Sequence, residues 1–169
     1  FLSDKNHFVF TFSGTDKSGL LQQVSDLSNE LECILKNGFT PEELDRCVRG
    51  AYAPGKFSSP KVAPLVHLTE DIHVLELWRG PTCAFKDMAL QILPHLMTRA
   101  ARKTCDGKTV VILVATSGDT GKAALEGFRD VPNTRIIVFY PEDGVSPMQK
   151  LQMATQEGEN VSVCAIHGN

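Results

Sequence analysis

The sequence lacks a paired set of cysteines. The cysteines number five and stand at positions 33, 47, 83, 105 and 164, with no Cys-x-x-Cys spacing among them. An odd number without that spacing argues against a disulfide framework or a zinc site, so reduced thiols in a cytoplasmic protein are expected. The five histidines are equally scattered, and no metal ion is expected.

The sequence also lacks a charge excess and a long apolar run. Its formal net charge is −3, which gives no basis for binding nucleic acid or an anionic membrane surface. The longest apolar stretch covers residues 109–115, far short of the roughly 20 residues that cross a bilayer. The start shows no basic segment followed by an apolar run, so no secretory leader is expected. A partner of small-molecule size is therefore favoured.

Nucleotide-binding fingerprints are missing as well. There is no Gly-x-Gly-x-x-Gly, which weakens a dinucleotide interpretation. Gly121-Lys122 matches the end of a P-loop, but the first glycine of that motif would fall on Thr116. The residue after the lysine is Ala123, which has no oxygen to ligate magnesium. An NTPase is therefore excluded.

The first part of the chain, residues 1–66, is predicted to be mostly helical and to end in a linker. Residues 8–12 are strand-like, and apolar residues recur at helical spacing over 20–34. Thr40-Pro41-Glu42-Glu43 is typical of a helix start, and that helix is predicted to end near residue 52. Four prolines and glycines then punctuate residues 53–66, which predicts a linker.

Residues 67–169 alternate between strand and helix patterns. Strands are predicted at 74–78, 109–115, 135–140 and 161–166, and apolar spacing predicts one amphipathic helix over 85–96. Further helices are predicted after the turn 116–121 and from the capping-box sequence at Ser146. Strands that are apolar on both faces indicate an α/β fold, an open, mainly parallel sheet covered by helices on both sides.

The first candidate site is the turn Gly80–Asp87, which precedes the predicted amphipathic helix. In open α/β sheets, ligands bind at the carboxyl ends of strands, beside helix N-termini. Lys86 lies near such a helix start, where the dipole and partial burial disfavour an ammonium. Both effects favour the neutral amine, which can attack an aldehyde. The alternative is a solvated surface lysine, which is the usual state of a lysine at a helix start.

The second candidate site is the turn Ala115–Lys122. It joins a strand end to a helix start and contains two glycines together with hydroxyl side chains. Free backbone N–H groups and the helix dipole favour a carboxylate or a phosphate there. The alternative, with equal weight, is a structural turn whose glycines allow tight geometry.

Four segments in order resemble the threonine synthases. Residues 77–91, Leu-Trp-Arg-Gly-Pro-Thr-Cys-Ala-Phe-Lys-Asp-Met-Ala-Leu-Gln, resemble the segment with the pyridoxal-phosphate (PLP) lysine, and residues 115–121 resemble the substrate loop. Residues 140–153, with Ser-Pro-x-Gln-x-x-Gln-Met, and the closing 166–169, Ile-His-Gly-Asn, fit the same family. The resemblance covers roughly 40–169 and is highly specific because the four motifs keep their order.

This resemblance implies the amino-terminal portion of a fold-type II PLP enzyme. The implied enzyme is a carbon–oxygen lyase acting on phosphates, converting O-phospho-L-homoserine and water to L-threonine and phosphate in threonine biosynthesis. Residues 67–169 would be the first part of the PLP-binding α/β domain, incomplete as it stands. The family's glycine-rich phosphate cradle is not among the 169 residues, so the chain alone is expected to be inactive.

The resemblance also implies residue roles. Lys86 would carry PLP and later serve as the base that moves protons on the substrate. The other cofactor-binding residues would be Phe85 and Asp87, which flank and position Lys86, and Asp119. The residues implied to contact the substrate carboxylate and the cofactor are Thr116, Ser117, Gly118, Asp119 and Thr120. Because a carboxylate repels a carboxylate, Asp119 is expected to cap the helix or to bond a hydroxyl.

Two alternatives stay open at this point. The chain could belong to a catalytically silent threonine-synthase-like protein that binds a phosphorylated ligand. Residues 1–50 could instead form a regulatory ligand-binding module, because Gly14–Leu21 lies between a strand and a helix, as at the start of an ACT module. The sequence does not fix the oligomeric state.

Overall fold

The computed structural model of the protein describes residues 38–105 and 107–167. The strand predicted at 8–12 and the helix predicted at 20–34 lie outside the described residues. The chain divides into two compact units, residues 1–43 and residues 44–169. The linker residues 53–66 belong to the same unit as the sheet, and the domain boundary placed after residue 66 stays a prediction.

Helix α1 runs from Pro41 to Ala51, as the sequence predicts. The Thr40 hydroxyl accepts a hydrogen bond from the Glu43 backbone N–H, 3.3 Å away. The Glu43 carboxylate in turn accepts from the Thr40 N–H at 3.0 Å. This reciprocal pair satisfies two N–H groups that a helix start leaves free, so the predicted cap is confirmed.

A small antiparallel hairpin follows, formed by β1 (Leu65–His67) and β2 (His73–Leu75). The strand predicted at 74–78 is corrected, because β2 ends at Leu75. The Glu76 N–H still donates to the Pro64 carbonyl at 3.0 Å, but Pro64 has no N–H with which to continue the ladder. Beyond it, Arg79 forms an ion pair with Glu76 at 2.6 Å. The chain turns there and leads directly into the first candidate site.

The main sheet is parallel, with strand order β3-β4-β5. Strand β3 spans Val110–Ala115, β4 Thr134–Pro141 and β5 Val161–Ile166. Two helices join the strands: α4 (Asp119–Phe128) follows β3, and α5 (Pro147–Ala154) follows β4. The helices α2 and α3 precede β3 in the chain and are described below. Ser146 and Gln149 form the predicted capping box at the start of α5. The α/β fold and its parallel sheet are therefore confirmed.

One face of the sheet holds the core. Ile136 and Val138 of β4 are fully buried against α4 and α5, together with Leu125, Phe128 and Met153. On the opposite face of β3, Val111 is 54% exposed and Leu113 67% exposed. The expectation of helices on both faces is therefore corrected for the described residues, which cover one face only. Apolar strand residues indicate that a face can be buried, but they do not say which segment buries it.

The single helix predicted over 85–96 is wrong. The structure has two helices, α2 (Asp87–Leu90) and α3 (Leu93–Thr104), separated at Gln91 and Ile92. Proline has no N–H and its ring clashes with the preceding helical turn. Pro94 therefore begins a new helix, in whose first turn a missing N–H costs nothing. The predicted apolar stripe does not face the core as a unit, because Phe85 and Leu93 are exposed while Leu90 and Met97 pack against the core.

Helices α2 and α4 touch through their backbones. A Cβ atom placed on Gly127 of α4 would lie 2.1 Å from the carbonyl oxygen of Leu90 at the end of α2. No side-chain rotation relieves a contact with a backbone oxygen, so only glycine permits this approach. The two helices that follow the candidate sites are thereby packed directly on each other.

We expect Gly127→Ala to lower the free energy of unfolding by about 2 kcal/mol, since overpacking costs about 1–3 kcal/mol and outweighs the roughly 1 kcal/mol that alanine gains in a helix. Urea unfolding followed by circular dichroism measures the change. Gly38→Ala is the matched control, because a Cβ there meets nothing within 4 Å. A Gly127→Ala protein as stable as wild type would contradict the contact.

Tyr52 ties the segment after α1 to α2. Its hydroxyl donates to the Met88 carbonyl at 2.6 Å, and desolvation raises the pKa of Tyr52 to about 12. A tyrosine in an unfolded chain titrates near ~10. The folded pKa is the higher one, so this contribution to stability is complete below pH ~10 and disappears as the pH rises toward about 12.

We therefore expect Tyr52→Phe to lose less stability than wild type between pH ~10 and ~12. The measurement is urea unfolding at a series of alkaline pH values. Other groups that titrate in this range act on both proteins, so the difference between the two curves isolates Tyr52. Parallel curves would show that Tyr52 ionises as readily in the folded as in the unfolded chain.

Candidate functional site

The lysine turn, residues Gly80–Asp87, is organised around a buried carboxylate. Asp87 is fully buried. Its two oxygens accept hydrogen bonds from the Thr82 backbone N–H at 2.9 Å and from the Thr82 hydroxyl at 2.7 Å. A Cβ on Gly80 would lie 2.4 Å from one of these oxygens, so the chain can pass there only as glycine. Asp87 thereby closes the turn that presents Lys86.

Lys86 stands immediately before α2 and is half-buried. Its Nζ lies 4.8 Å from the centroid of the Phe85 ring, and Phe85 is 55% exposed. Among the described residues, no carboxylate forms an ion pair with Lys86. The helix-dipole argument made from the sequence is weaker than expected, because α2 has only four residues and a single turn sums few peptide dipoles. The amine is thus held by its turn and faces an aromatic ring.

The second site is the oxyanion loop, residues Thr116–Thr120, between β3 and α4. The Thr116 hydroxyl accepts from the N–H groups of Gly118 at 3.1 Å and Gly121 at 3.2 Å. In the described part of the chain, the backbone N–H groups of Ser117, Asp119 and Thr120 form no hydrogen bond. Free N–H groups at a helix start form the cradle that an anion prefers.

Asp119 is oriented by a residue that sequence reasoning did not assign to the site. Its carboxylate accepts a hydrogen bond from Gln149 Nε2 at 3.0 Å. The expectation that Asp119 caps α4 or bonds a hydroxyl is therefore wrong. Gly118 holds the N-cap position of α4, and the Asp119 carboxylate accepts from the Gln149 amide instead. Gln149 also closes the capping box of α5, so the start of one helix orients the start of the other. The capping-box spacing was visible in the sequence, but this contact across 30 residues was not.

The lysine turn and the oxyanion loop are joined indirectly. No hydrogen bond of the described residues connects Lys86 to residues 116–120, and the link is the packing of α2 on α4 at Leu90 and Gly127. The oxyanion loop lies at the carboxyl end of β3, where ligands bind in this type of sheet.

The described residues show no metal site. They contain no group of three or more metal-ligating side chains, and Cys83, Cys105 and Cys164 are free thiols. No described helix is long and apolar enough to cross a membrane.

Comparison with known proteins finds close relatives. The chain is 48% identical to threonine synthase of Pseudomonas aeruginosa over 115 residues, which is 68% of this chain and 24% of that protein. It is 38% identical to human threonine synthase-like 1 over 133 residues, 76% of this chain and 17% of that protein. The structure of PLP-bound threonine synthase from Brucella melitensis superposes with a TM-score of 0.70 at 42% identity. That match covers 79% of this chain and 28% of the other. No protein-family profile matches the chain.

The parallel sheet with its flanking helices is that of a fold-type II PLP enzyme, of which the chain holds part. The chain belongs to the threonine synthase family. It spans about a quarter of the length of the bacterial relative and less of the human one.

Proposed function

We propose that the chain is the part of a threonine synthase that carries the PLP lysine and the substrate loop. Lys86 is the attachment residue, and the substrate is O-phospho-L-homoserine, converted with water to L-threonine and phosphate. The observation that carries this proposal is the lysine turn itself. Buried Asp87 anchors the turn through Thr82, and the neighbouring Lys86 amine has no ion-pair partner among the described residues.

The residues present fit PLP. The PLP aldehyde reacts with an amine, and the Lys86 amine forms no ion pair with a carboxylate of the described residues. PLP, when bound, supplies an electron sink for carbanion chemistry at the substrate. Phe85 offers an exposed ring beside the amine, and the free N–H groups of the oxyanion loop suit an anionic oxygen of cofactor or substrate.

The residues of the two sites have separate roles in positioning the lysine and binding the substrate. Asp87 positions Lys86 by closing the turn through Thr82. Ser117, Asp119 and Thr120 bind the substrate carboxylate through backbone N–H groups, while Thr116 holds the loop in shape through Gly118 and Gly121. Gln149 keeps the Asp119 carboxylate turned toward α5, which reduces its repulsion of the substrate. The Lys86 amine moves protons on the substrate carbons.

The test is chemical trapping on the protein. The chain is mixed with equimolar PLP and reduced with borohydride, and its peptides are mapped by mass spectrometry. Reduction captures even weakly held PLP, so the missing phosphate cradle does not prevent the measurement. We expect the label on Lys86 to exceed that on Lys61, an exposed lysine outside both sites, by about tenfold. A label spread over the lysines by exposure alone would refute the proposal.

A silent relative is the second candidate, supported by the match to human threonine synthase-like 1. Such a protein would keep PLP on Lys86 without turnover. Phosphate release from O-phospho-L-homoserine by the full-length, PLP-loaded protein separates the two, since only the synthase releases phosphate. The cytoplasmic location, the inactivity of the chain alone and the ligand-binding module over 1–50 stay predictions.

A further inference from the structure

A cavity of about 560 Å³ lies at the edge of the sheet opposite the oxyanion loop. Its lining includes Val110 at the start of β3, Asn133 just before β4, and Ala101, Arg102 and Cys105 at the end of α3. The loop lies at the other end of β3, five residues away at about 3.3 Å each, or roughly 16 Å. The cavity is therefore separate from the oxyanion loop, and its volume falls within the roughly 300–1,000 Å³ of small-molecule sites.

The cavity contains an unpaired buried donor. Gln91, which lines it, is 5% exposed, and its Nε2 has no hydrogen-bond partner among the described residues. The other end of the same amide is engaged, because Gln91 Oε1 accepts from Lys56 Nζ at 3.4 Å. An unsatisfied buried amide is costly, so its N–H groups call for an acceptor oxygen in the cavity. The lysine on Oε1 fixes the orientation of the amide.

The charge around the cavity is positive. Lys56, Arg102 and Lys108 line it, and none of them has an ion-pair partner among the described residues. The described acid in the lining is Glu126, and both of its oxygens are taken, by Arg129 at 3.2 Å and by Gln156 at 3.1 Å. Desolvation and nearby Lys56 lower the pKa of His95, so its imidazole is neutral at pH 7 and does not reverse this balance.

We propose that this cavity binds a small organic anion, whose carboxylate or phosphate oxygens accept from Gln91 Nε2 and lie against Lys56. The unpaired amide supplies the directional contact, and the three cations supply the attraction. The volume exceeds that of an inorganic ion and suits a metabolite of a few carbons. This site does not depend on the proposed function: Pro81 of the lysine turn lines it, but neither Lys86 nor any residue of the oxyanion loop does.

The test is calorimetric titration of the protein at low salt with two probes, citrate for carboxylates and ribose 5-phosphate for phosphates. We expect saturable binding of one molecule of at least one probe per chain. Lys56→Gln and Lys108→Gln should each weaken it about tenfold, whereas Lys61→Gln, at an exposed lysine outside the cavity, should leave it unchanged. The variants change exposed side chains, so the fold should persist, and thermal unfolding checks this.

A second measurement addresses Gln91 without altering it. The side-chain amide resonances of Gln91 in a nitrogen-15 NMR spectrum should shift along the same saturation curve as the heat. Equal binding by the Lys56→Gln and Lys61→Gln proteins would overturn the proposal, since it would show attraction to surface charge. Absence of binding by both probes would overturn it too and leave water as the partner of Gln91.

Discussion

Lys86→Ala is expected to abolish the trapping of PLP in the lysine turn. The side-chain amine is the group of the turn that can form an imine with the aldehyde, so its removal leaves no imine for borohydride to reduce there. We expect the total label at equimolar PLP to fall by about twofold, because the nine other lysines each carry roughly a tenth of the Lys86 label. The measurement is intact-mass spectrometry after reduction.

The matched control is Lys61→Ala, which removes an exposed lysine of the segment before β1 and should keep the label of wild type. Because Lys86 is half-buried and has no ion-pair partner among the described residues, its loss should not lower stability, and thermal unfolding verifies this. Undiminished labelling of a folded Lys86→Ala protein would mean that another lysine carries the cofactor.

Asp87→Ala is expected to lower the free energy of unfolding by about 3 kcal/mol, because it leaves the buried Thr82 N–H and hydroxyl without acceptors and opens a small cavity. It should also spread the PLP label away from Lys86, since the turn that presents the amine is no longer closed. Urea unfolding measures the first effect and peptide mapping the second.

Asp71→Ala provides the comparison for Asp87, because Asp71 is an exposed acid in the hairpin turn between β1 and β2. It should change stability by less than about 0.5 kcal/mol, as surface substitutions do. Asp87→Asn is a finer probe, since it keeps the shape and one acceptor oxygen while removing the other. If Asp87→Ala lost stability but kept the label on Lys86, Asp87 would support the fold without positioning the lysine.

The regular elements could be predicted because their signals are local. The apolar runs of β3 and β4, the Thr40 cap and the Ser146 capping box each depend on residues a few positions apart. The break between α2 and α3 was missed because apolar spacing alone was followed through Pro94. The open face of β3 was missed because a strand pattern states which residues favour burial, not whether a partner is present.

The candidate site divides in the same way. Lys86 and the oxyanion loop were predicted through motifs that are contiguous in the chain. The role of Gln149 toward Asp119 depends on two helix starts meeting in space, 30 residues apart in sequence. The buried bonds of Thr82 to Asp87 span only five residues, but they depend on a turn geometry that a helix prediction did not contain.

The contact between Gly127 and Leu90 affects how much the protein must reorganise when a ligand binds. With α2 and α4 in backbone contact, folding fixes the helix after the lysine turn against the helix after the oxyanion loop. A ligand that contacts both segments does not have to order these two helices, so less conformational entropy is lost on binding. The protein should then change conformation little when the ligand binds. Substitutions that loosen this helix pair should weaken affinity without removing any contact to the ligand.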